Sequence, residues 1–354
     1  QRFELASGLK VALLPKGTRG GAVQASLRLH LGDEQSLRGQ GAVGAMLGSL
    51  FDKGGAGLTR QQVADEIDRL RAKLNFGIGG QDLTVGITTT RDNLPAVITL
   101  VGKLLRDPAL PADVLEENRR QWLAGIEQQR KDPGAVVGNT IGRHGNPYPR
   151  GDLRYTSTFD ETVEDVQAVK TEQLRAFHRR FVSAAQGEFS ASGDMDAAAV
   201  RAALTSALAD WRAPADGPRP YARAPRPLQN VAGERFVLLT PDKQNANLMA
   251  ALRLPLNDLD EDFPALVAAN HMFGTGGTGR LWQRIREKDG LSYGTYSWVQ
   301  WNSFERNSAW MASAIFAPQN QAKVEAAFNE ELARSLKDGF SQKELDEARD
   351  GLLS

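Results

Sequence analysis

Catalytic metal chemistry asks for several convergent His or carboxylate ligands with one position left open for water. This sequence offers four histidines for that purpose: His30, His144, His178 and His271. None has a second His four residues on with Glu between, the spacing that sets two ligands and a base on one helical face. The residues therefore predict no complete metal site in this chain, and each His is expected at the surface or in a hydrogen bond. With no Cys, thiol catalysis, thiolate ligands and disulfides are excluded. The run Gly274 to Gly279 fits G-x-G-x-x-G, but a helical pattern rather than a strand leads into it. Arg280-Leu281 also stands where a P-loop requires Lys followed by Ser or Thr, so a tight turn is expected there and not a phosphate cradle.

A second constellation is more informative. Residues 280–293 carry Arg286 and Tyr293 across a segment with Gly290 between them. A helix ending at that glycine and turning directly into a strand would hold the two side chains near one another on firm elements. A guanidinium fork and a phenolic hydroxyl so placed can bind a peptide carbonyl or a carboxylate. The alternative is a surface Arg and a half-buried Tyr with no ligand.

The elements that must position these groups follow from the apolar pattern. Val23, Ala25, Leu27 and Leu29 share one parity, which predicts a strand with one buried face. Helices are predicted over about 41–51, from Thr59 as N-cap, over about 93–106 and over 111–130, where Asp132-Pro133 interrupts. A strand over 83–88 and elements near 171–181, 186–192 and 196–209 complete a first domain, 1–211. Residues 212–229 hold five prolines and little periodicity, which predicts a linker. From 230 the opening order of strand, strand and helix returns, with strands expected near 235–240 and 248–256 and a helix over 263–273. A short helix from Arg280, strands near 291–301 and 307–316, and helices near 320–336 and 342–353 follow. The pattern is that of a duplicated α/β fold, with a second domain, 230–354, expected to be cut short at its C-terminus.

Composition narrows the classes of function. The 354 residues suffice for two domains, and 41% hydrophobic with 24% charged content is that of a globular protein. Equal numbers of acidic and basic residues leave no net charge to attract nucleic acid or an anionic membrane. No apolar run approaches the roughly 18 residues of a membrane-spanning helix. The start at Gln1-Arg2-Phe3, without Met or an apolar leader, leads us to expect that a segment once preceded it.

On these residues the chain resembles the pitrilysin, or insulinase-like, zinc metallopeptidases, over essentially its whole length. It is similar to the second half of bacterial predicted zinc proteases that fuse two such halves, and to the non-catalytic subunit of two-chain versions. The resemblance implies an α+β protein of two related α/β-sandwich domains, each a mainly antiparallel sheet with helices packed on it. Active halves carry His-x-x-Glu-His in a helix of the first domain. The matching segment here is Gly41 to Phe51, with Gly44 and Gly48 at the two His positions and Leu47 at the Glu position. The later glutamate ligand falls at Ala124 or Gly125, with Glu127 nearby but out of register. Gly41, Gly44 and Gly48 line one side of that helix at about 1 kcal/mol each against Ala, a cost that close packing could offset. The second domain keeps the family's Arg-Glu-Lys-x-Gly-Leu-x-Tyr, matched by Arg286 and Tyr293, which the resemblance makes substrate contacts. His271 in His271-Met272-Phe273-Gly274 is given no metal role, because Val267 and Asn270 stand where His and Glu would be required.

The resemblance thus implies a half that binds no zinc or other cofactor, closes a chamber over peptide, and serves a zinc centre on another half. That active half is expected either fused upstream or as a separate chain, in the bacterial periplasm or cell envelope, with the cytoplasm as the alternative. A cut-short second domain is expected to favour a dimer or partner contact. The rival reading is a structural or protein-binding module of the same fold, as in respiratory core subunits, without a part in proteolysis.

Overall fold

A computed structural model describes residues 1–353 except 216, 218 and 219. Those three fall in the expected linker, and residue 354 of the expected second domain also lies outside the described residues. The described residues group into two compact units, 1–126 with 148–224 and 127–147 with 225–354. This grouping follows contact, whereas the sequence division at 211 and 230 followed chain order, so 127–147 changes company between them.

The first unit begins with β1 (Arg2–Glu4), β2 (Leu9–Pro15), β3 (Ala22–His30), α1 (Gly41–Gly48) and α2 (Arg60–Arg69). It continues through β4 (Lys73–Gly79), β5 (Asp82–Thr90), α3 (Leu94–Arg106) and most of α4 (Ala112–Arg130). The chain then contributes α5 (Pro133–Arg143) to the second unit and returns with α6 (Phe159–Ala168), α7 (Thr171–Phe181), β6 (Gly187–Gly193) and α8 (Ala197–Leu208). The sheet runs β1-β2-β6-β3-β5-β4, with β2 and β6 parallel and every other pair antiparallel. Strict alternation buries Val23, Ala25, Leu27 and Leu29 of β3 beside Val11, Val85 and Phe189. Removing each such Leu from water contributes about 1.5–3 kcal/mol before chain entropy is set against it. Thr59 and Thr158 close capping boxes with Gln62 and Glu161 and so fix where α2 and α6 begin.

The second unit adds β7 (Ala246–Leu254), α9 (Phe263–Gly274), a π-helical turn (Trp282–Lys288), β8 (Ser292–Gln300), β9 (Ser308–Phe316), α10 (Gln321–Asp338) and α11 (Gln342–Leu353). Its sheet, β7-β9-β8, is wholly antiparallel. Ala312, Ala314 and Phe316 of β9 meet Phe273, Ile285, Val324 and Phe328 in a separate core. The fold class is as expected, a mixed α/β sandwich of mainly antiparallel sheets and packed helices.

The strand expected near 235–240 is not formed; those residues carry no strand ladder. They nevertheless align without a gap on β2 and β3 together with β7, setting Leu13, Leu14, Ala25, Leu27, Arg28 and Leu29 against Leu238, Leu239, Ala250, Leu252, Arg253 and Leu254. Extended residues become a strand by pairing, and β2 pairs with both β1 and β6.

Candidate functional site

The structure brings the Arg286 guanidinium to the backbone of Tyr293. Leu281 and Ile285, both fully buried, anchor one side of the π-helical turn in the core. Arg280 fixes its start through a bidentate pair to Glu344 (Nε–Oε1 2.6 Å, Nη2–Oε2 2.9 Å) and a bond to the Gly339 carbonyl. Gly290, at φ 62°, reverses the chain at its end, and Leu291 N donates to the Ile285 carbonyl at 2.9 Å. The strand that follows opens with a β-bulge between Ser292 and Gly294, the extra residue being Tyr293. The Ser292 hydroxyl accepts from Gly294 N and donates to the Ile315 carbonyl at 2.7 Å, which pins the bulge. Bulges re-aim a side chain, and here Tyr293 is thrown outward with 69% of its surface exposed.

Arg286 Nη1 donates to the Tyr293 carbonyl at 2.8 Å, and its guanidinium lies 4.2 Å over the Trp282 ring. Stacking and one backbone bond orient the fork, leaving the exposed edge of the guanidinium and the Tyr293 hydroxyl as donors to a ligand. Three aromatic residues escaped the sequence reading. Trp282 is the platform for Arg286, while Tyr296 and Trp298 lie on the outward face of β8 with ring centroids 5.4 Å apart. Their cross-strand partners are Ser313 and Met311, and the two rings form an aromatic stripe on that face of β8. The period-2 spacing of Tyr296 and Trp298 was the signal for it. A groove of about 1590 Å³ lies elsewhere in this unit, between α5, residues 228–245 and β7, and neither Arg286 nor Tyr293 lines it.

The two α1 positions that the resemblance matches to zinc-binding histidines, Gly44 and Gly48, have no room for such side chains. A Cβ at Gly48 would stand 2.4 Å from Ile78 N and 2.9 Å from the Gly77 carbonyl carbon, and one at Gly44 would stand 2.9 Å from Ile78 Cγ2. Helix α1 therefore lies flush on the backbone of β4, with Leu47 fully buried. Gly41 meets nothing within 4 Å and takes no part in that contact. Ala124 is exposed on α4 and Gly125 faces open space, while Glu127 pairs with Arg130 at 3.1 Å. A resident zinc does not fit these residues.

The histidines are dispersed. His178 Nε2 donates to the Leu105 carbonyl at 2.7 Å, and burial holds its pKa below the ordinary value. His144 Nε2 donates to the Ala232 carbonyl at 3.0 Å, and His271 lies on α9 close to Gly351. His30 sits between two carboxylates at one end of the first sheet. Among the described residues no group of three His, Cys, Asp or Glu side chains is placed to hold a metal ion. The glycine run is a turn, as expected: Gly276 has φ 66°, and a Cβ at Gly274 would lie 2.3 Å from Ser297 Oγ, so its absence lets α9 end directly on β8.

Two α/β units, each of a mainly antiparallel sheet with packed helices, give the fold of a non-catalytic domain family related to metallopeptidases. Residues 168–352 match the family described as the peptidase M16 inactive domain, and the chain belongs to that family. It is 25% identical over 277 residues to an uncharacterized zinc protease of Streptomyces coelicolor, spanning 58% of that protein's length. A non-peptidase homolog of Helicobacter pylori, YmxG, is 22% identical over 326 residues, with 86% of this chain and 72% of that protein covered. Among solved structures, a peptidase M16 inactive domain from Pseudomonas fluorescens matches all of this chain and 83% of its own, at TM-score 0.79 and 22% identity. The periplasmic protease PqqL of Escherichia coli matches 99% of this chain and 38% of its own, at TM-score 0.76 and 14% identity. None of the described helices is long and apolar enough to cross a membrane.

Proposed function

We propose that this chain is the non-catalytic half of a zinc-dependent metalloendopeptidase, successive domains 1–211 and 230–354 joined by 212–229, which helps close a chamber and contacts the peptide. The observation that carries this reading is the bulge that exposes Tyr293 while its own carbonyl holds Arg286. A guanidinium oriented by stacking and left open at its outer edge is placed to donate to a ligand. The pair binds a peptide carbonyl or carboxylate, and the Tyr296-Trp298 stripe receives the side chains beside it. Zinc belongs to the active half, fused or separate. A bacterial periplasmic or envelope location is part of the proposal, supported by the likeness to PqqL.

The test is steady-state cleavage of a short peptide by the reconstituted assembly, with zinc content and assembly checked for each variant. Arg286→Ala and Tyr293→Phe are expected to lower kcat/KM by about 30-fold to 1000-fold, the range for a preorganised contact worth about 2–4 kcal/mol. A fall in kcat alone assigns the contact to the transition state, and a rise confined to KM assigns it to ground-state binding. Unchanged kinetics for both variants would leave the structural module, the reading that the likeness to a non-peptidase homolog supports.

A further inference from the structure

His30, at the end of β3, has Asp82 Oδ1 2.7 Å from Nδ1 and Glu188 Oε1 3.2 Å from Nε2. A neutral imidazole has one N–H and one lone pair, whereas two carboxylates need two donors. The arrangement is satisfied on both sides by the doubly protonated ring. Against that ring lies Tyr221, its centroid 3.9 Å away and its plane tilted by 10°. Tyr221 belongs to a strap, residues 221–224, held to the same end of the sheet by two glutamines. Gln186 Oε1 accepts from Tyr221 N at 2.7 Å. Gln81 Nε2 donates to the Ala222 carbonyl at 2.8 Å, and its Oε1 accepts from Ala224 N at 2.6 Å.

We propose that His30, doubly protonated between Asp82 and Glu188, is a pH-sensitive latch that holds the 221–224 strap on the first unit and releases it as the ring loses its proton. The charged and titratable groups around the ring are Asp82 from β5, Glu188 from β6, Arg28 from β3, whose Nε lies 3.9 Å from Asp82, and Tyr221 and Arg223 from the strap. Burial alone would lower the pKa of His30, but the hydrogen bonds to Asp82 and Glu188 outweigh it and the net shift is upward. The sign follows from linkage. Asp82 and Glu188 stay with the sheet when the strap lifts, so the strap is coupled to the ring through Tyr221: the latch is engaged while the ring beneath Tyr221 is charged and weakens as pH rises through the ring's own pKa. A neutral ring leaves one carboxylate facing a lone pair and removes the charge beneath Tyr221.

The latch can be followed on the whole chain by NMR, reading the His30 ring resonances and the exchange protection of the Tyr221 and Ala224 amides, corrected for intrinsic exchange, from pH 6 to 9. Strap opening is expected to increase as pH rises through the ring's own pKa, by about 2-fold to 30-fold in all, the worth of a cation–π contact, and to level above it. His30→Gln is expected to abolish that pH dependence, and Glu188→Gln to move its midpoint to lower pH. Should His30→Gln not fold, the wild-type titration and Glu188→Gln still decide. Protection independent of pH, a ring titrating at or below the ordinary value, or an unmoved midpoint in Glu188→Gln would overturn the proposal.

Discussion

A single Cβ decides what α1 can be. At Gly48 it would fall within 2.4 Å of backbone that belongs to another strand and has nowhere to go. Overpacking of this kind costs about 1–3 kcal/mol, against roughly 1 kcal/mol that Ala gains over Gly inside a helix. Gly48→Ala is therefore expected to lower the stability of the first unit, while Gly41→Ala, with open space around it, is expected to leave it equal or raise it by up to about 1 kcal/mol. Urea unfolding of the two variants checks this, and equal shifts would show that α1 is not seated on β4 as described. The identities of Arg286 and Tyr293 were legible from type and spacing. The bulge was not, because it depends on how β8 meets β9, and neither was the use of Trp282 as a platform.

Strands and helices differ in how openly they announce themselves. Alternation exposed β3 and β5, and the long apolar faces of α3 and α10 were equally plain. Strand β4 was missed although Leu74, Phe76 and Ile78 alternate with Lys73, Asn75 and Gly77, because the glycines at 77, 79 and 80 read as a turn. Pro133 was read as interrupting a helix; it does, and Asp132 then caps α5 by accepting from Ala135 N at 2.8 Å, with Pro133 in the position where its missing donor costs nothing. The expected strand at 235–240 had the right residues, but pairing is a property of neighbours. Another element is held by a charge pair: Glu344 of α11 accepts the Arg280 fork, which brings its carboxyl down to about 2. A depressed carboxylate stabilises fully above its ordinary value of 4.5 and loses that contribution as pH falls towards 2. Acid titration followed by hydrogen exchange should show α11 loosening across that window, and Glu344→Gln should already be loosened at neutral pH and lack the acid step. A variant that kept the wild-type profile would assign the attachment of α11 to packing alone.

The two units have separate cores of unequal size, one spread over a six-stranded sheet and the other over three strands. Burial scales with core size, so the second unit is expected to open at lower denaturant, in a transition distinct from the first. Exchange measured by mass spectrometry would report protection in β9 and α10 collapsing before that in β3 and β5. One coincident transition would mean that the units are energetically coupled.

The first unit is also discontinuous, the chain leaving it after Ile126 and re-entering at Tyr148 with α5 given to the second unit. On a ribosome, α5 is made about a hundred residues before β7, the strand it packs against in the second unit, so its contacts are among the long-range ones that slow folding. For that interval a glycine-containing helix with an apolar face must wait without its surface. Vectorial synthesis thus sets the order of assembly. The first unit can close around a looped-out segment, and the second starts only when its last strands emerge.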